Sequence, residues 1–196
     1  MSGVYWLIDG SYIYKSLKTY PGKTLDYKKL RQKIESMLGN KTTAYYFNST
    51  PDPATDQQNA FHSWMKSADG PNIRVELYEL KKTEVKCPDC GHKFVKLTQK
   101  GVDVGIVTAA LKFQHKYDTL ILSTGDGDFL DTVKYIQEGL SKRIILVAFR
   151  HGLSTDLQQY ADEVWYIDDF FDEVKDARLS QPKPFENVDD VVEVEG

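Results

Sequence analysis

The chain has 196 residues, of which 41% are hydrophobic and 28% are charged, and its formal net charge is −4. This is the composition of an ordinary globular protein, and the length fits one domain with a full hydrophobic core. The sequence has no run of about 18 apolar residues, which excludes a transmembrane helix. Its start lacks a basic region and reaches Asp9 too early for a signal peptide, so we expect a cytoplasmic protein with no membrane partner.

The hydrophobic pattern predicts strands that alternate with helices. Short apolar or alternating stretches predict strands at residues 4–8, 43–47, 73–80, 119–123, 143–149 and 163–167. Helical spacing between turn residues predicts helices at residues 27–38, 57–67, 103–117, 129–137, 154–160 and 168–178. Because such alternation is typical of doubly wound sheets, the sequence predicts an α/β fold with a mostly parallel central sheet.

The distribution of charge suggests segments with different roles. Residues 1–179 form the predicted domain, with a basic, irregular, cysteine-containing insertion at about 81–101, and residues 180–196 form an acidic tail expected to be flexible. Residues 74–100 carry seven basic and four acidic side chains, which indicates either a nucleic-acid-binding face or ordinary solvated surface. The negative charge of the whole chain argues against nonspecific attraction to nucleic acid, which depends on phosphate neutralisation.

Four aspartates fall at the ends of predicted elements. Asp9 ends the first strand, Asp126 and Asp128 follow the strand at 119–123, and Asp103 opens the helix before that strand. In doubly wound sheets, ligands bind at the carboxyl ends of the strands near a topological switch point. We therefore expect these four side chains to lie close together.

The alternative for single members of this set is helix capping, which suits both Asp103 and Asp128. Gly127, between Asp126 and Asp128, would let the backbone turn so that both carboxylates point to one place.

Two carboxylates about 4 Å apart repel by about 4 kcal/mol at an effective dielectric constant of 20, against a total stability of roughly 5–15 kcal/mol. A cluster therefore needs protons or a cation. Oxygen ligands without a dedicated cage suit Mg²⁺ or Mn²⁺, which can activate water at a phosphodiester.

Four stretches of the chain resemble the NYN domain family, a branch of the PIN-like nuclease superfamily. They are VYWLIDGS at 4–11, KGVDV at 100–104, ILSTGDGDF at 121–129, and a closing pattern of Ser154, Leu157 and Ala161-Asp162-Glu163. The resemblance covers residues 4 to about 170 in the family's order. It implies a three-layer, Rossmann-like (PIN-like) fold and an acidic Mg²⁺ or Mn²⁺ site for RNA cleavage. The family's acidic positions, both catalytic and metal-binding, match Asp9, Asp103, Asp126 and Asp128.

Side chains beside these acids are candidates for contacts with RNA. Ser11 and Thr124 could donate hydrogen bonds to phosphate or water, and Tyr12 could stack on a base. Lys15 and Lys100 could neutralise phosphate, the alternative being that they are ordinary solvated lysines.

Two positions depart from the family pattern, which commonly has an asparagine at the position of Tyr12 and a further aspartate at that of Ala109. The leading prediction is a metal-dependent ribonuclease acting on single-stranded or structured RNA. The departures favour the alternative of a noncatalytic RNA- or protein-binding regulatory module on the same scaffold. A phosphotransfer enzyme with an aspartyl nucleophile is a third hypothesis, which lacks a suitably placed lysine and Ser/Thr pair.

Two cysteines three residues apart form the remaining motif. Cys87, Cys90 and His92 have the spacing of a zinc knuckle, but structural zinc needs a fourth ligand. Another histidine or a second subunit could supply it, so a homodimer is possible. The alternative is a pair of free thiols in an exposed loop.

Overall fold

The computed structural model describes residues 3–20, 24–86, 88, 90–176 and 191–192. The strands in these ranges are β1 (Val4–Asp9), β2 (Thr43–Thr50), β3 (Arg74–Glu79), β4 (Lys81–Lys86), β5 (Lys93–Thr98), β6 (Thr119–Ser123), β7 (Arg143–Ala148), β8 (Glu163–Tyr166) and β9 (Val191–Val192). The α-helices are α1 (Gly10–Leu17), α2 (Tyr27–Leu38), α3 (Asp56–Lys66), α4 (Val102–Lys112), α5 (Leu130–Lys134), α6 (Thr155–Tyr160) and α7 (Phe171–Val174). Short 3₁₀ or π segments lie at Gln114–Lys116, Gly127–Phe129, Tyr135–Gly139 and Ile167–Phe170.

Six strands form one parallel sheet in the order β3-β2-β1-β6-β7-β8. The chain moves outward from β1 to β3, crosses back to β6 in the centre, and moves outward again to β8. β1 and β6 are neighbours, with Ile8 of β1 paired to Ser123 of β6. The carboxyl ends of these two strands therefore form the switch point at which sheets of this kind bind ligands.

The sheet separates two hydrophobic cores, because successive residues of a strand point to opposite faces. In β1, Trp6 and Ile8 belong to the core beneath α1, α2, α3 and α7, whereas Tyr5 and Leu7 belong to the core beneath α4, α5 and α6. Every residue of β1 is buried, as expected for a central parallel strand. The predicted three-layer α/β fold is confirmed.

Some helix ends lie where the sequence predicts them, and others do not. Asp26 caps α2 by accepting hydrogen bonds from two backbone N–H groups, and Gly39, with a φ of 65°, ends that helix as predicted. The sequence pattern does not predict α1, which follows β1 without a loop. The helix predicted at 168–178 is shorter, since α7 ends at Val174 and residues 177 and 178 lie outside the described residues.

The insertion at about 81–101 is a β-hairpin, so the prediction that it is irregular is wrong. β4 and β5 pair in antiparallel register from Lys81–Thr98 to Lys86–Lys93, and β9 pairs with β5. Val85 and Phe94 face each other and are half-buried, which gives the hairpin a small apolar contact. Because it leaves the sheet after β3 and returns at the start of α4, its base lies at the carboxyl edge of the sheet. The division into a domain and a flexible tail stays a prediction, because residues 191–192 alone represent the tail in the described part.

No helix within the described ranges is long and apolar enough to cross a membrane.

Candidate active site

Asp9 is held at the carboxyl end of β1 by two neighbouring elements. Its Oδ1 accepts hydrogen bonds from the backbone N–H groups of Ser11 (3.0 Å) and Tyr12 (3.1 Å) and from Ser11 Oγ (2.9 Å). Its Oδ2 accepts a hydrogen bond of 3.3 Å from Oγ1 of Thr124, the residue after β6. Asp9 is therefore the N-cap of α1 and also a carboxylate at the switch point, with 4% of its surface exposed.

Burial raises the pKa of Asp9 above its ordinary value of 3.8, because desolvation disfavours the charged carboxylate. The hydrogen bonds from Tyr12 and Ser11 act in the opposite direction, and the negative charge of Asp103 adds to the rise. The surroundings of Asp9 therefore favour a bound proton or a nearby cation.

Asp103 connects Asp9 electrostatically to the loop after β6. It is the second residue of α4, which begins after Gly101 (φ 84°) and has no side-chain cap, so the capping hypothesis for Asp103 is wrong. The side chain of Asp103 is exposed, yet partial desolvation first, and then the charges of Asp126 and Asp128, raise its pKa, while Lys15 lowers it. Because β1 and β6 are parallel neighbours, Asp9, Asp126 and Asp128 follow strand ends at one edge of the sheet, and Asp103 lies at the start of the helix that precedes β6.

Asp126 and Asp128 are both exposed in the loop that follows β6. Asp126 Oδ1 accepts a hydrogen bond from the backbone N–H of Asp128 at 3.0 Å, so Asp126 caps the 3₁₀ turn Gly127–Phe129. The backbone N–H of Asp126 in turn donates to Thr124 Oγ1 at 3.3 Å. The capping role considered for Asp128 thus belongs to Asp126, and Thr124 links this loop to Asp9.

The glycine that this loop requires is Gly125, and sequence reasoning missed it in favour of Gly127. A methyl group on Gly125 would lie 2.1 Å from the carbonyl oxygen of Gly152 and 2.5 Å from the ring of Tyr12. Gly127 lies in a 3₁₀ turn without a left-handed φ, and its nearest such contact is Ser154 Oγ at 3.3 Å. The close approach of the loop after β7 therefore positions Asp126 and Asp128. A single sequence carries no signal of that approach.

The structure places the predicted contact residues around the acids in different ways. Tyr12 is tied to the chain beyond β7, since its hydroxyl donates to the carbonyl oxygen of Phe149 and accepts from the backbone N–H of the same residue, both at 3.1 Å. Lys15 and Lys100 are exposed, and Lys15 lies within electrostatic reach of Asp103. Ser11 and Thr124 both donate to Asp9, as described above.

The donor set fits a hydrated hard cation rather than a closed protein cage. Within the described residues, no group of three or more His, Cys, Asp or Glu side chains is arranged to hold a metal ion by itself. Mg²⁺ usually keeps several waters and binds through one or two carboxylates together with substrate phosphate. Aspartate side chains offer oxygen ligands and negative charge of that kind, but no three of these four are grouped to hold an ion in the part of the chain that the structure describes.

Two residues of the cysteine motif, Cys90 and His92, lie at the tip of the hairpin between β4 and β5. Cys90 is a free, exposed thiol and His92 is also exposed. Cys87 lies outside the described residues, so the predicted zinc knuckle stays a prediction.

The parallel sheet with helices on both faces and acids at its switch point defines a Rossmann-like, PIN-like α/β protein. The sequence model of the NYN domain matches residues 3–168, so the chain belongs to the NYN domain family, which confirms the resemblance seen in the sequence. A comparison with curated proteins found no match.

A solved structure supports the fold. A crystal structure of a protein of unknown function from Vibrio parahaemolyticus RIMD 2210633 superimposes with a TM-score of 0.65 at 20% sequence identity. The alignment covers 89% of this chain and 96% of that one. At this identity the similarity shows the fold alone.

Proposed function

We propose that this protein is a ribonuclease that hydrolyses RNA phosphodiester bonds with Mg²⁺ or Mn²⁺ at its aspartate cluster. The observation that carries the proposal is the position of aspartates at the switch point, where Thr124 is hydrogen-bonded both to the buried carboxylate of Asp9 and to the backbone of Asp126. A divalent cation would offset the repulsion among these carboxylates and bring substrate phosphate to the same place. Membership of the NYN family, with its PIN-like nuclease fold, supports the same chemistry.

The surroundings of each acid suggest its role. Asp9, Asp126 and Asp128 would supply oxygen ligands, and Oδ2 of Asp9 keeps a lone pair beside its 3.3 Å hydrogen bond from Thr124. A bound Mg²⁺ or Mn²⁺ supplies Lewis acidity toward water and phosphate. The raised pKa of Asp103 suits it to orient the attacking water and accept its proton.

Basic side chains close to the acids suit an RNA partner. Lys15 lies within electrostatic reach of Asp103 and could neutralise the phosphate next to the scissile bond. Exposed lysines also line the hairpin that leaves this edge of the sheet, namely Lys81, Lys82, Lys86 and Lys93, with Lys100 at its return. Single-stranded or structured RNA could follow these positive charges into the site.

A noncatalytic RNA- or protein-binding module is the second candidate, and two observations favour it. The Tyr12 hydroxyl is engaged by the backbone of Phe149 and supplies no amide to the acids. Ala109 is buried on α4, about 9 Å along the helix from Asp103 at 1.5 Å per residue, so it adds no carboxylate to the site. This candidate predicts RNA binding without turnover.

Metal binding and cleavage, measured on the same samples, test the proposal. Titration calorimetry with MgCl₂ and MnCl₂ would compare the wild type with Asp126→Asn/Asp128→Asn, and a labelled RNA would report hydrolysis. Asp131→Asn is the matched control, because Asp131 is an exposed aspartate on α5 outside the cluster.

We expect binding and hydrolysis in the wild type and in Asp131→Asn, and loss of both in the double variant. Unchanged hydrolysis in the double variant would overturn the proposal. RNA binding without hydrolysis under either metal would favour the noncatalytic module.

A further inference from the structure

A groove of about 400 Å³ lies between α4 and the β2–β3 edge of the sheet. This volume is within the roughly 300–1,000 Å³ typical of small-ligand clefts. Gly101 and Val104 line one end of the groove, and Asp103 lies between them in the first turn of α4. The groove therefore starts at the end of α4 that carries Asp103 and runs along the helix away from that end.

Aromatic rings form much of the groove wall. Tyr78 and Phe113 are half-buried and line it, and the ring of Phe113 stacks on the buried Tyr45 with centroids 5.3 Å apart. Tyr78 lies directly on α4, since a methyl group on Gly105 would come within 2.0 Å of its hydroxyl oxygen. Helix packing thus holds the Tyr78 ring in place, with part of its surface open to the groove.

Cations surround these rings. The ammonium groups of Lys112 and Lys116 lie 5.4 and 5.7 Å from the centroid of the Phe113 ring. The Arg74 guanidinium donates a 2.6 Å hydrogen bond to the Tyr45 hydroxyl and lies 5.1 Å from the centroid of that ring. All three cationic residues are exposed. The partly open ring of Tyr78, with these cations nearby, matches a base and the flanking phosphates of a single nucleic-acid strand.

We infer that this groove binds an unpaired nucleobase of the RNA strand whose phosphodiester lies at the aspartates. The base stacks on Tyr78, and Arg74, Lys112 and Lys116 hold the flanking phosphates. The inference rests on the proposed function and deepens it, because it adds a base-binding groove outside the aspartate site. A base inside a duplex is stacked on both faces and cannot enter.

Glu76 gives the groove a preference among bases. It is exposed on β3, lines the groove, and lies close enough to Tyr78 to contribute to the raised pKa of that phenol. An ionised carboxylate accepts hydrogen bonds and donates none, so it pairs with the N4 amino group of cytosine, whereas the N3–H donor of uracil lies between two carbonyl oxygens that repel the carboxylate. The groove therefore favours cytosine over uracil, two bases of equal size.

Fluorescence anisotropy in EDTA, which prevents metal-dependent hydrolysis, tests the groove with single-stranded RNA of about 10 nucleotides. Tyr78→Leu removes the ring, whereas Tyr78→Phe keeps it and is the matched control. We expect Tyr78→Leu to weaken binding at least about fivefold, the lower end of a single base stack, and Tyr78→Phe to bind like the wild type. Lys112→Glu should also weaken binding, and Lys66→Glu on the opposite face of the sheet should not.

Selectivity is tested with oligo(C) and oligo(U). We expect the wild type to prefer oligo(C) and Glu76→Gln to lose the preference, because an amide can both donate and accept. Thermal unfolding of each variant checks that its fold is intact.

Several outcomes would overturn the inference. They are wild-type affinity in Tyr78→Leu, an equal loss in Tyr78→Phe, duplex RNA binding as tightly as single strands, and no preference between oligo(C) and oligo(U). A wild type that binds through the groove but hydrolyses no RNA would leave the inference standing and refute the nuclease proposal. Hydrolysis lost in Asp126→Asn/Asp128→Asn, with normal binding by Tyr78→Leu, would refute the groove alone.

Discussion

Thr124 donates a hydrogen bond from Oγ1 to Oδ2 of Asp9 at 3.3 Å, across the junction of the two halves of the sheet. The other oxygen of Asp9 accepts from the first turn of α1. One carboxylate is thus fixed both by the strand next to it in space and by the helix next to it in sequence. Because the capping hydrogen bonds use one oxygen of Asp9, the negative charge can be removed while that oxygen is kept.

Substitution of Asp9 should separate these two roles. Asp9→Asn keeps an oxygen that can cap α1 but removes the charge, so we expect normal or higher stability and loss of divalent-metal binding. Asp9→Ala also removes the cap and should lower the free energy of unfolding by about 1 kcal/mol. Urea denaturation and calorimetry with Mn²⁺ would measure both effects. Retention of metal binding in Asp9→Asn would show that this charge is not part of a cation site.

The pKa of Asp103 predicts a dependence of stability on pH. Its pKa is raised in the folded protein, so the folded state binds a proton more readily than the unfolded state. The ionised carboxylate therefore lowers the free energy of unfolding above the raised pKa, and this loss disappears as the pH falls toward the ordinary value of 3.8. In EDTA at pH 7, Asp103→Asn should therefore raise the Tm by roughly 1–3 °C, a small effect because the group is exposed. The gain should vanish near pH 4, and an equal gain at both pH values would contradict this account.

His62 provides a second pH-dependent test, remote from the aspartates. It is 3% exposed on α3, and neither ring nitrogen has a hydrogen-bond partner among the described residues. Burial first, and then the charge of Lys66, lower its pKa to about 4 from an ordinary 6.5. The unfolded chain therefore takes up a proton first as the pH falls, so stability is complete above pH 6.5 and is lost toward pH 4.

Substitution by leucine should remove this dependence. Between pH 7.5 and pH 5 we expect the wild type to lose on the order of 1–2 kcal/mol more stability than His62→Leu. Urea denaturation at the two pH values measures the difference. Equal losses of stability in both proteins would contradict this account, because they would mean that the pKa of His62 is the same in the folded and unfolded states.

The hairpin tip gives a prediction about metal content. If Cys87, Cys90 and His92 bind zinc, the purified protein should contain it and Cys90→Ser should lose it, as measured by elemental mass spectrometry. Light scattering with and without EDTA would show whether zinc also joins two chains into the homodimer considered from the sequence. Wild-type protein purified without zinc, and unable to take it up, would leave the cysteines as free thiols.

The sequence alone predicted the fold well because hydrophobic periodicity and end signals are local. Neighbouring residues in the sequence predict the buried strand β1 and the two ends of α2, at Asp26 and Gly39. The order of the four motifs indicated the NYN family in the same way. The hairpin was missed because β4 is almost entirely exposed and lacks the apolar alternation of a core strand. Helix α1 was missed because its cap, Asp9, is the last residue of a strand.

The same difference between local features and long-range contacts applies to the candidate site. The sequence determined that aspartates follow the strands, since strand ends and acids can be read from neighbouring positions. The tertiary structure alone decided that Thr124 joins Asp9 to the loop of Asp126, and that Gly125 must pass against Gly152. It also decided that Tyr78 lies on α4 beside a groove that begins near Asp103. The physical reason is distance along the chain. The contacts Thr124–Asp9, Gly125–Gly152 and Tyr78–Gly105 join residues more than 20 positions apart, and a single sequence does not encode such pairs in any local pattern.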